Sequence, residues 1–301
     1  MTSVRLATRR SPLALLQART VQGYLRQRGV DAQLVEIDTS GDQRLDVPLS
    51  VLGGEGVFAV EIQRALLRGD ADVAVHSAKD LPSQSPDGLM LASVPERLDA
   101  SDALVGRSLE GLGPGATVAT GSPRRRALLL ERRPDLRVVE LRGNMATRLA
   151  AAGSNGVDAV VAATAALERL GALDAVAQRL DPGWFVPQVG QGALALEARM
   201  DDLETLLVLE SINDHDAFAC VAAERAFLRE LGLGCSIPAG ANATITSGVL
   251  TLRGVMIGVD GSRSVRSSLE GSSPETLGSQ LARTLRDELG GGSLPGWAPE
   301  A

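Results

Sequence analysis

Short apolar stretches broken by polar turns dominate the first two thirds of the chain, and their spacing predicts strands alternating with helices. Residues 4–8, 71–75, 117–120, 137–141 and 157–163 are too short for helices and rich in small or β-branched apolar side chains, so each is expected to be a strand. Two of them are followed by the same signal. After residues 4–8, Ser11 and Pro12 read as the N-cap and first residue of a helix carrying Leu13, Leu16, Tyr24 and Leu25; after residues 117–120, Ser122 and Pro123 repeat that arrangement ahead of Arg124, Arg125, Arg126 and Leu128 to Leu130. A second echo pairs Asp72-Val73-Ala74-Val75 with Asp158-Ala159-Val160-Val161. The separations of the two echoes differ, which indicates a duplicated α/β domain type and not a short tandem repeat.

The last third changes character. Residues 215–231 read as a helix with an apolar side of Phe218, Val221, Ala222, Ala226 and Leu228. A glycine-flanked loop, Leu233-Gly234-Cys235-Ser236-Ile237-Pro238, follows Gly232. Val249, Thr251 and Arg253 then alternate with Leu250, Leu252 and Gly254 as a half-buried strand, and residues 274–289 offer a closing helix. The expected fold class is α/β, with two related α/β domains and a small α+β C-terminal domain. The Gly- and Pro-containing tail over 290–301 is expected to fray.

Composition narrows the class. A chain of 301 residues that is 44% hydrophobic can bury the cores of two or three domains. No run approaches the roughly 20 apolar residues of a membrane span, and residues 1–8 do not read as a secretory signal, so a cytoplasmic protein with no membrane partner is expected. In that reducing setting the two cysteines, Cys220 and Cys235, read as a core residue and a reactive thiol, not as a disulfide. Two histidines and no CxxC leave no expected metal site. A net charge of −7 argues against nucleic acid as a partner, so any anion has to be met by local arginines.

Those arginines are placed for it. Lys79 is the sole lysine among 30 basic side chains, and it sits in His76-Ser77-Ala78-Lys79-Asp80, at the carboxyl end of the strand expected over 71–75. Ligands of open α/β sheets bind outside the carboxyl ends of strands. A helix N-terminus also presents free N–H groups, and both echoed helix starts carry arginine: Arg9 before one, Arg124 and Arg125 within the other. Arg142 and Arg148 flank the turn Gly143-Asn144, and Arg169 lies in the helix after 157–163. Arg126 reads as a solvated position. Arginine grips carboxylates through a planar fork, so a ligand bearing several carboxylates is implied.

Taken together, His76-Ser77-Ala78-Lys79-Asp80-Leu81-Pro82, Leu141-Arg142-Gly143-Asn144 with Thr147-Arg148, Val189-Gly190-Gln191-Gly192-Ala193, Ala223-Glu224-Arg225-Ala226 and Gly234-Cys235 resemble the porphobilinogen deaminase (hydroxymethylbilane synthase) family, in order from Arg5 to about Pro238. The resemblance implies two domains of the periplasmic-binding-protein type: residues 1–96 completed by 190–211, then 97–189, with a third domain over 212–301. It implies a transferase of tetrapyrrole (haem, porphyrin) biosynthesis that condenses four porphobilinogen molecules head to tail into hydroxymethylbilane with loss of ammonia; a monomer is expected. It also implies a dipyrromethane cofactor held by a thioether to Cys235. Asp80 is the expected catalytic group, stabilising the cation left by departing ammonia and relaying protons. Lys79, Ser77, Arg124, Arg125 and Asp80 are expected on the cofactor. Arg9, Ser11, Arg142, Arg148, Arg169 and the hinge residue Gln191 are expected on the substrate.

The chain departs from its relatives at Glu55 and Val60, where lysines are usual, at Pro123 in place of leucine, and at Leu233 in place of glycine. Residues 39–56 still read as a mobile lid, with Phe58 placed to stack on a pyrrole. Two rivals come from other classes. One is a non-catalytic module of the same fold that senses a carboxylate anion. The other is a cysteine-nucleophile transferase, which needs a base near Cys235 that neither His76 nor His215 supplies in sequence.

Overall fold

The structure, a computed structural model, describes residues 3–39, 59–232 and 237–297. Glu55, Phe58, nearly all of the expected lid, and Leu233 with Cys235 lie outside the described residues. The chain divides into two compact units, Met1–Leu98 with Gly192–Val221, and Asp99–Gln191 with Ala222–Ala301.

The first unit is built on a five-stranded sheet in the order β2-β1-β3-β10-β4. Its strands are β1 (Ser3–Arg9), β2 (Asp31–Ile37), β3 (Val73–Ser77), β4 (Leu89–Ser93) and β10 (Leu194–Arg199). β2, β1 and β3 run parallel, and β10, the returning segment, pairs antiparallel with β3 from Leu194↔Ser77 to Ala198↔Val73. Val4, Leu6, Val73, Val75, Leu194 and Leu196 are buried, in one cluster with Ala18, Val21 and Leu25 of helix α1 (Pro12–Gln27). The expected cap is present: Ser11 Oγ accepts from Ala14 N at 3.3 Å and Pro12 is the first helical residue. Helix α2 (Val60–Leu67) supplies Ile62 and Leu66 to a second cluster with Ala7, Ala71 and Ala74.

The second unit repeats this plan. β5 (Asp102–Val105), β6 (Thr117–Ala119), β7 (Arg137–Val139), β8 (Ala159–Ala163) and β9 (Val176–Leu180) form a sheet in the order β7-β6-β8-β5-β9. β7, β6 and β8 run parallel while β5 runs antiparallel to its neighbours, the same pattern as in the first sheet. Helix α3 (Pro123–Arg132) follows β6 as α1 follows β1, with Ser122 Oγ accepting from Arg125 N at 3.4 Å. Both echoes read from the sequence are therefore structural. The strand expected over 137–141 ends two residues early, where the turn carrying Arg142 begins. Two short helices complete the layer, α4 (Met145–Ala151) and α5 (Thr164–Arg169), and α6 (Leu203–Glu210) belongs to the first unit.

Helix α7 (His215–Leu231) has the expected bounds but a different inner face. Phe227 is fully buried, whereas Phe218 and Leu228 are half-exposed, and Glu224 and Arg225 are buried with the apolar side chains. Glu224 is drawn in because its carboxylate accepts from the backbone N–H groups of Gly190 and Ala243, both at 2.7 Å. Cys220 is buried, as a core residue should be.

A three-stranded antiparallel sheet, β11 (Ala239–Thr246), β12 (Val249–Ile257) and β13 (Ser264–Gly271), completes the second unit. Val255 and Ile257 join the core of the β6 sheet, and Gly261 packs so closely on α3 that a Cβ there would lie 2.6 Å from Ala127 O. The closing helix α8 (Pro274–Arg283) widens into a π turn over Thr284–Glu288. The tail does not fray as expected up to Trp297: Leu294 and Trp297 are buried, and the Trp297 indole N–H donates to Ile257 O at 2.8 Å.

Candidate functional site

Parallel strands bring their carboxyl ends to one edge of a sheet, and the expected site residues follow from that. In the first unit, β1 ends at Arg9 and β3 at Ser77. The Ala78 N–H donates to Ala193 O at 3.0 Å, which stops the strand and starts a 3-10 turn, Ala78–Asp80. Ala78 and Leu81 are both buried, anchoring the turn on either side, so Lys79 and Asp80 are carried between them, half-exposed, at the sheet edge. Ser77 Oγ lies 2.7 Å from Gln17 Nε2, which donates to it from α1. Ser11 is engaged as the helix cap. Arg10, which the sequence does not distinguish from Arg9, is exposed and pairs with Asp38 at 2.9 Å.

In the second unit the carboxyl ends of β7, β6 and β8 carry, in turn, the Arg142–Arg148 turn, the start of α3, and α5 with Arg169 at its last position. The turn is local in its logic. Gly143 has φ +107°, and a Cβ there would meet Thr147 Cγ2 at 2.9 Å, so glycine is required. Asn144 caps α4 by accepting from Thr147 N at 3.0 Å, and Arg148 Nε donates to Gly143 O at 2.9 Å. Arg142 pairs with Glu140 at 2.7 Å.

Arg124 and Arg125, expected on a bound anion, are also held by a protein carboxylate that the sequence does not single out, Asp102. Both are buried, and between them lies the wholly buried Asp102. Arg124 donates to Asp102 Oδ2 at 2.7 Å and to Val186 O at 2.7 Å. Arg125 donates to Asp102 Oδ1 at 2.6 and 2.9 Å, and Gln191 Nε2 adds a further bond to Oδ1 at 2.9 Å. Burial pushes the Asp102 carboxyl up, but the charges of Arg124 and Arg125 outweigh it and hold it down at about 2. Burial and the neighbouring Arg125 in turn push Arg124 below the usual guanidinium range, against the pull of Asp102. Two guanidinium groups face one carboxylate here, and Arg124 Nε is buried with no hydrogen-bond partner among the described residues. Arg126 is exposed, as expected of a solvated position. The signal for Asp102 was faint: one acidic residue opening a four-residue apolar strand.

Among the described residues, no group of three or more His, Cys, Asp and Glu side chains could hold a metal ion, and no helix is long and apolar enough to cross a membrane.

Comparison with known proteins matches two family models to the chain: "porphobilinogen deaminase, dipyromethane cofactor binding domain" over residues 4–206, and "porphobilinogen deaminase, C-terminal domain" over residues 218–287. The porphobilinogen deaminase of Trichlorobacter lovleyi is 43% identical over 288 residues, covering 94% of this chain and 92% of the relative. That of Syntrophotalea carbinolica is 45% identical over 290 residues, covering 94% and 92%. That of Rubrobacter xylanophilus is 45% identical over 292 residues, covering 96% and 95%. Among solved structures, the methionine binding protein MetQ aligns at 15% identity and a TM-score of 0.45 over 72% of this chain and 92% of its own; the fold rests on the strand orders above.

Proposed function

The chain belongs to the porphobilinogen deaminase family, and from that premise we propose that it joins four porphobilinogen molecules head to tail into hydroxymethylbilane, releasing one ammonia at each addition, in tetrapyrrole biosynthesis. The observation that supports this most directly is the turn at the end of β3, where Asp80 and Lys79 stand at a sheet edge beside the carboxyl end of β1 with Arg9. The molecule works as a cytoplasmic monomer without nucleic acid, and its functional domains are 1–96 with 190–211, 97–189, and 212–301.

Asp80 acts on the substrate's aminomethyl carbon. As the amine leaves, positive charge develops on the pyrrole, and a carboxylate held beside it stabilises that charge and takes up the proton that rearomatisation releases. Each porphobilinogen brings an acetate and a propionate, so the arginines have a repeated task. Arg9, Arg142, Arg148 and Arg169, with Ser11 and Gln191, bind these groups, each shielded charge-assisted bond contributing about 1.5 to 3 kcal/mol.

The family's cofactor-binding domain spans most of the chain, and the residues present fit such a group. A dipyrromethane carries several carboxylates, and the second unit holds two buried guanidinium groups against a single carboxylate, with Arg124 Nε still able to donate. Arg124 and Arg125, with Lys79, Ser77 and Asp80, hold it, and the Cys235 thiol bears it as a thioether. When bound, the group supplies the pyrrole terminus on which the chain of substrate units is built.

The test is the intact mass of purified, denatured protein, with peptide mapping around Cys235. Two linked pyrrole units on the Cys235 peptide, present on purification or acquired on incubation with porphobilinogen, are expected. A thiol that stays bare after that incubation turns the reading to a carboxylate-binding module without chemistry.

A further inference from the structure

Glu197 is an acidic side chain with no exposed surface in the middle of β10, paired in the sheet opposite Ala74. A carboxylate in such a position is costly unless donors surround it, and an apolar side chain of similar size would fill the same space without that cost. Two donors and a histidine ring nitrogen, from three separate segments, surround it. Gln63 Nε2 of α2 donates to Oε2 at 2.9 Å, His76 Nε2 of β3 lies 3.2 Å from Oε2, and Ser85 Oγ donates to Oε1 at 2.6 Å. Burial opposes ionisation of Glu197, yet the contact with His76 and the bonds from Ser85 and Gln63 prevail and hold its carboxyl at about 2.

The positions of two of these groups in the sequence matter. His76 precedes the Lys79–Asp80 turn and Ser85 follows it, so one carboxylate ties together the two ends of the segment that carries the catalytic group. Past Leu81, residues 82–85 form neither helix nor strand. A segment of that kind is held by its side chains, and Ser85 bonds directly to β10, inside the sheet between β3 and β4.

We propose that Glu197 is a positioning residue for Asp80: by binding His76 and Ser85 at once it clamps the segment on both sides of the turn and fixes where the Asp80 carboxylate stands. This rests on the role given to Asp80 above. The clamp is a matter of geometry and not of proton transfer, since Glu197 is buried and reaches the turn only through its partners. A displacement of about 1 Å in a catalytic group can lower a rate by about a hundredfold.

The test uses Ser85→Ala, which opens one side of the clamp and leaves Glu197 and His76 in place, with Ser85→Thr as the conservative control and Glu197→Gln as the variant that disturbs all three contacts. Steady-state kinetics with porphobilinogen, thermal unfolding, and hydrogen exchange of the peptide spanning 78–84 are measured on the full chain. Ser85→Ala is expected to lower kcat by about 10- to 100-fold with KM within about twofold, to leave Tm within about 2 °C, and to speed exchange in 78–84. Ser85→Thr restores both kcat and exchange, and Glu197→Gln exceeds Ser85→Ala in both. Unchanged exchange in Ser85→Ala overturns the clamp. Faster exchange with wild-type kcat overturns the positioning role, as does a loss of kcat that follows Tm and is not restored by threonine. A wild-type protein that consumes no porphobilinogen removes instead the reading on which this rests, and exchange then decides the clamp by itself.

Discussion

Replacing Asp102 by asparagine removes a buried charge while keeping the size of the side chain. The native carboxylate accepts from Arg124 at 2.7 Å, from Arg125 at 2.6 and 2.9 Å, and from Gln191 at 2.9 Å. Asparagine keeps one acceptor oxygen and turns an N–H donor towards guanidinium donors. Two buried cations then lose their shared counter-charge, and breaking a buried pair from one side costs about 3 to 5 kcal/mol. A second route gives a smaller figure. The carboxyl is held at about 2 against an ordinary 3.8, because the charges of Arg124 and Arg125 outweigh burial, and at 1.36 kcal/mol per unit this makes ionisation worth about 2 kcal/mol. The gap has a physical cause: a protonated acid keeps an acceptor and gains a donor that can turn away, whereas an amide presents its N–H groups in a fixed plane. Since the folded value is the lower one, this stability is in place above about pH 4 and is lost as the pH falls towards 2. Both tryptophans, Trp184 and Trp297, lie in the second unit, so urea unfolding followed by tryptophan fluorescence reads that unit. With a urea slope of about 3 kcal/mol per molar or less, the midpoint should fall by about 1 M or more. An Asp102→Asn protein within about 0.5 kcal/mol of wild type, with the slope unchanged, would refute the claim that this pair carries an uncompensated charge when broken.

Other substitutions separate chemistry from binding and packing. Asp80→Ala is expected to leave circular dichroism and Tm as in the wild type and to lower ammonia release by about 10² to 10⁴-fold; turnover within a few-fold of normal would remove Asp80 from the mechanism. Arg148→Leu is expected to raise KM for porphobilinogen by about 10- to 100-fold, or to stall elongation so that partly extended enzyme appears in the intact mass, and the absence of both effects would place Arg148 outside the binding set. Gly278→Ala tests packing against propensity. Alanine favours a helix by about 1 kcal/mol, but a Cβ at Gly278 would lie 2.2 Å from Ala223 O and 2.6 Å from Ala226 Cβ. Overpacking against a backbone should prevail, costing about 1 to 3 kcal/mol in the fluorescence assay, and a stabilised variant would show that α7 and α8 can separate without cost.

The parts of this fold that are legible in the sequence are those whose causes are local. Ser11-Pro12 and Ser122-Pro123 each set a helix start within four residues, and the valine-rich runs ending at Val75 and Ala163 become strands because nothing longer than a strand fits between their turns. β5, with four residues, and β9, whose sequence Val-Ala-Gln-Arg-Leu does not alternate apolar with polar residues, carry no such signature. The place of β10 between β3 and β4 has a different cause. It is fixed by hydrogen bonds to strands more than 100 residues earlier, such as Leu194↔Ser77, and no local periodicity encodes them; only the family resemblance gave the returning segment.

The same division runs through the site. Polar residues at the ends of apolar runs were readable, so Asp80, Lys79, Arg9, Arg142, Arg148 and Arg169 fall where the strands deliver them. Buried carboxylates were not, because what keeps them inside is a partner far along the chain: Asp102 meets Arg124 across 22 residues, Glu224 meets Gly190 across 34, and Glu197 meets Gln63 across 134. Arg124, Arg125 and Arg126 make the point within one helical turn. Three consecutive arginines are alike in sequence, and the Ser122 cap, by fixing the phase of α3, turns two of them onto Asp102 and leaves the third exposed, donating to Val138 O at 2.7 Å. The acidic groups that hold the arginines and the Asp80 turn in place are thus the least visible from sequence, although both clusters depend on them.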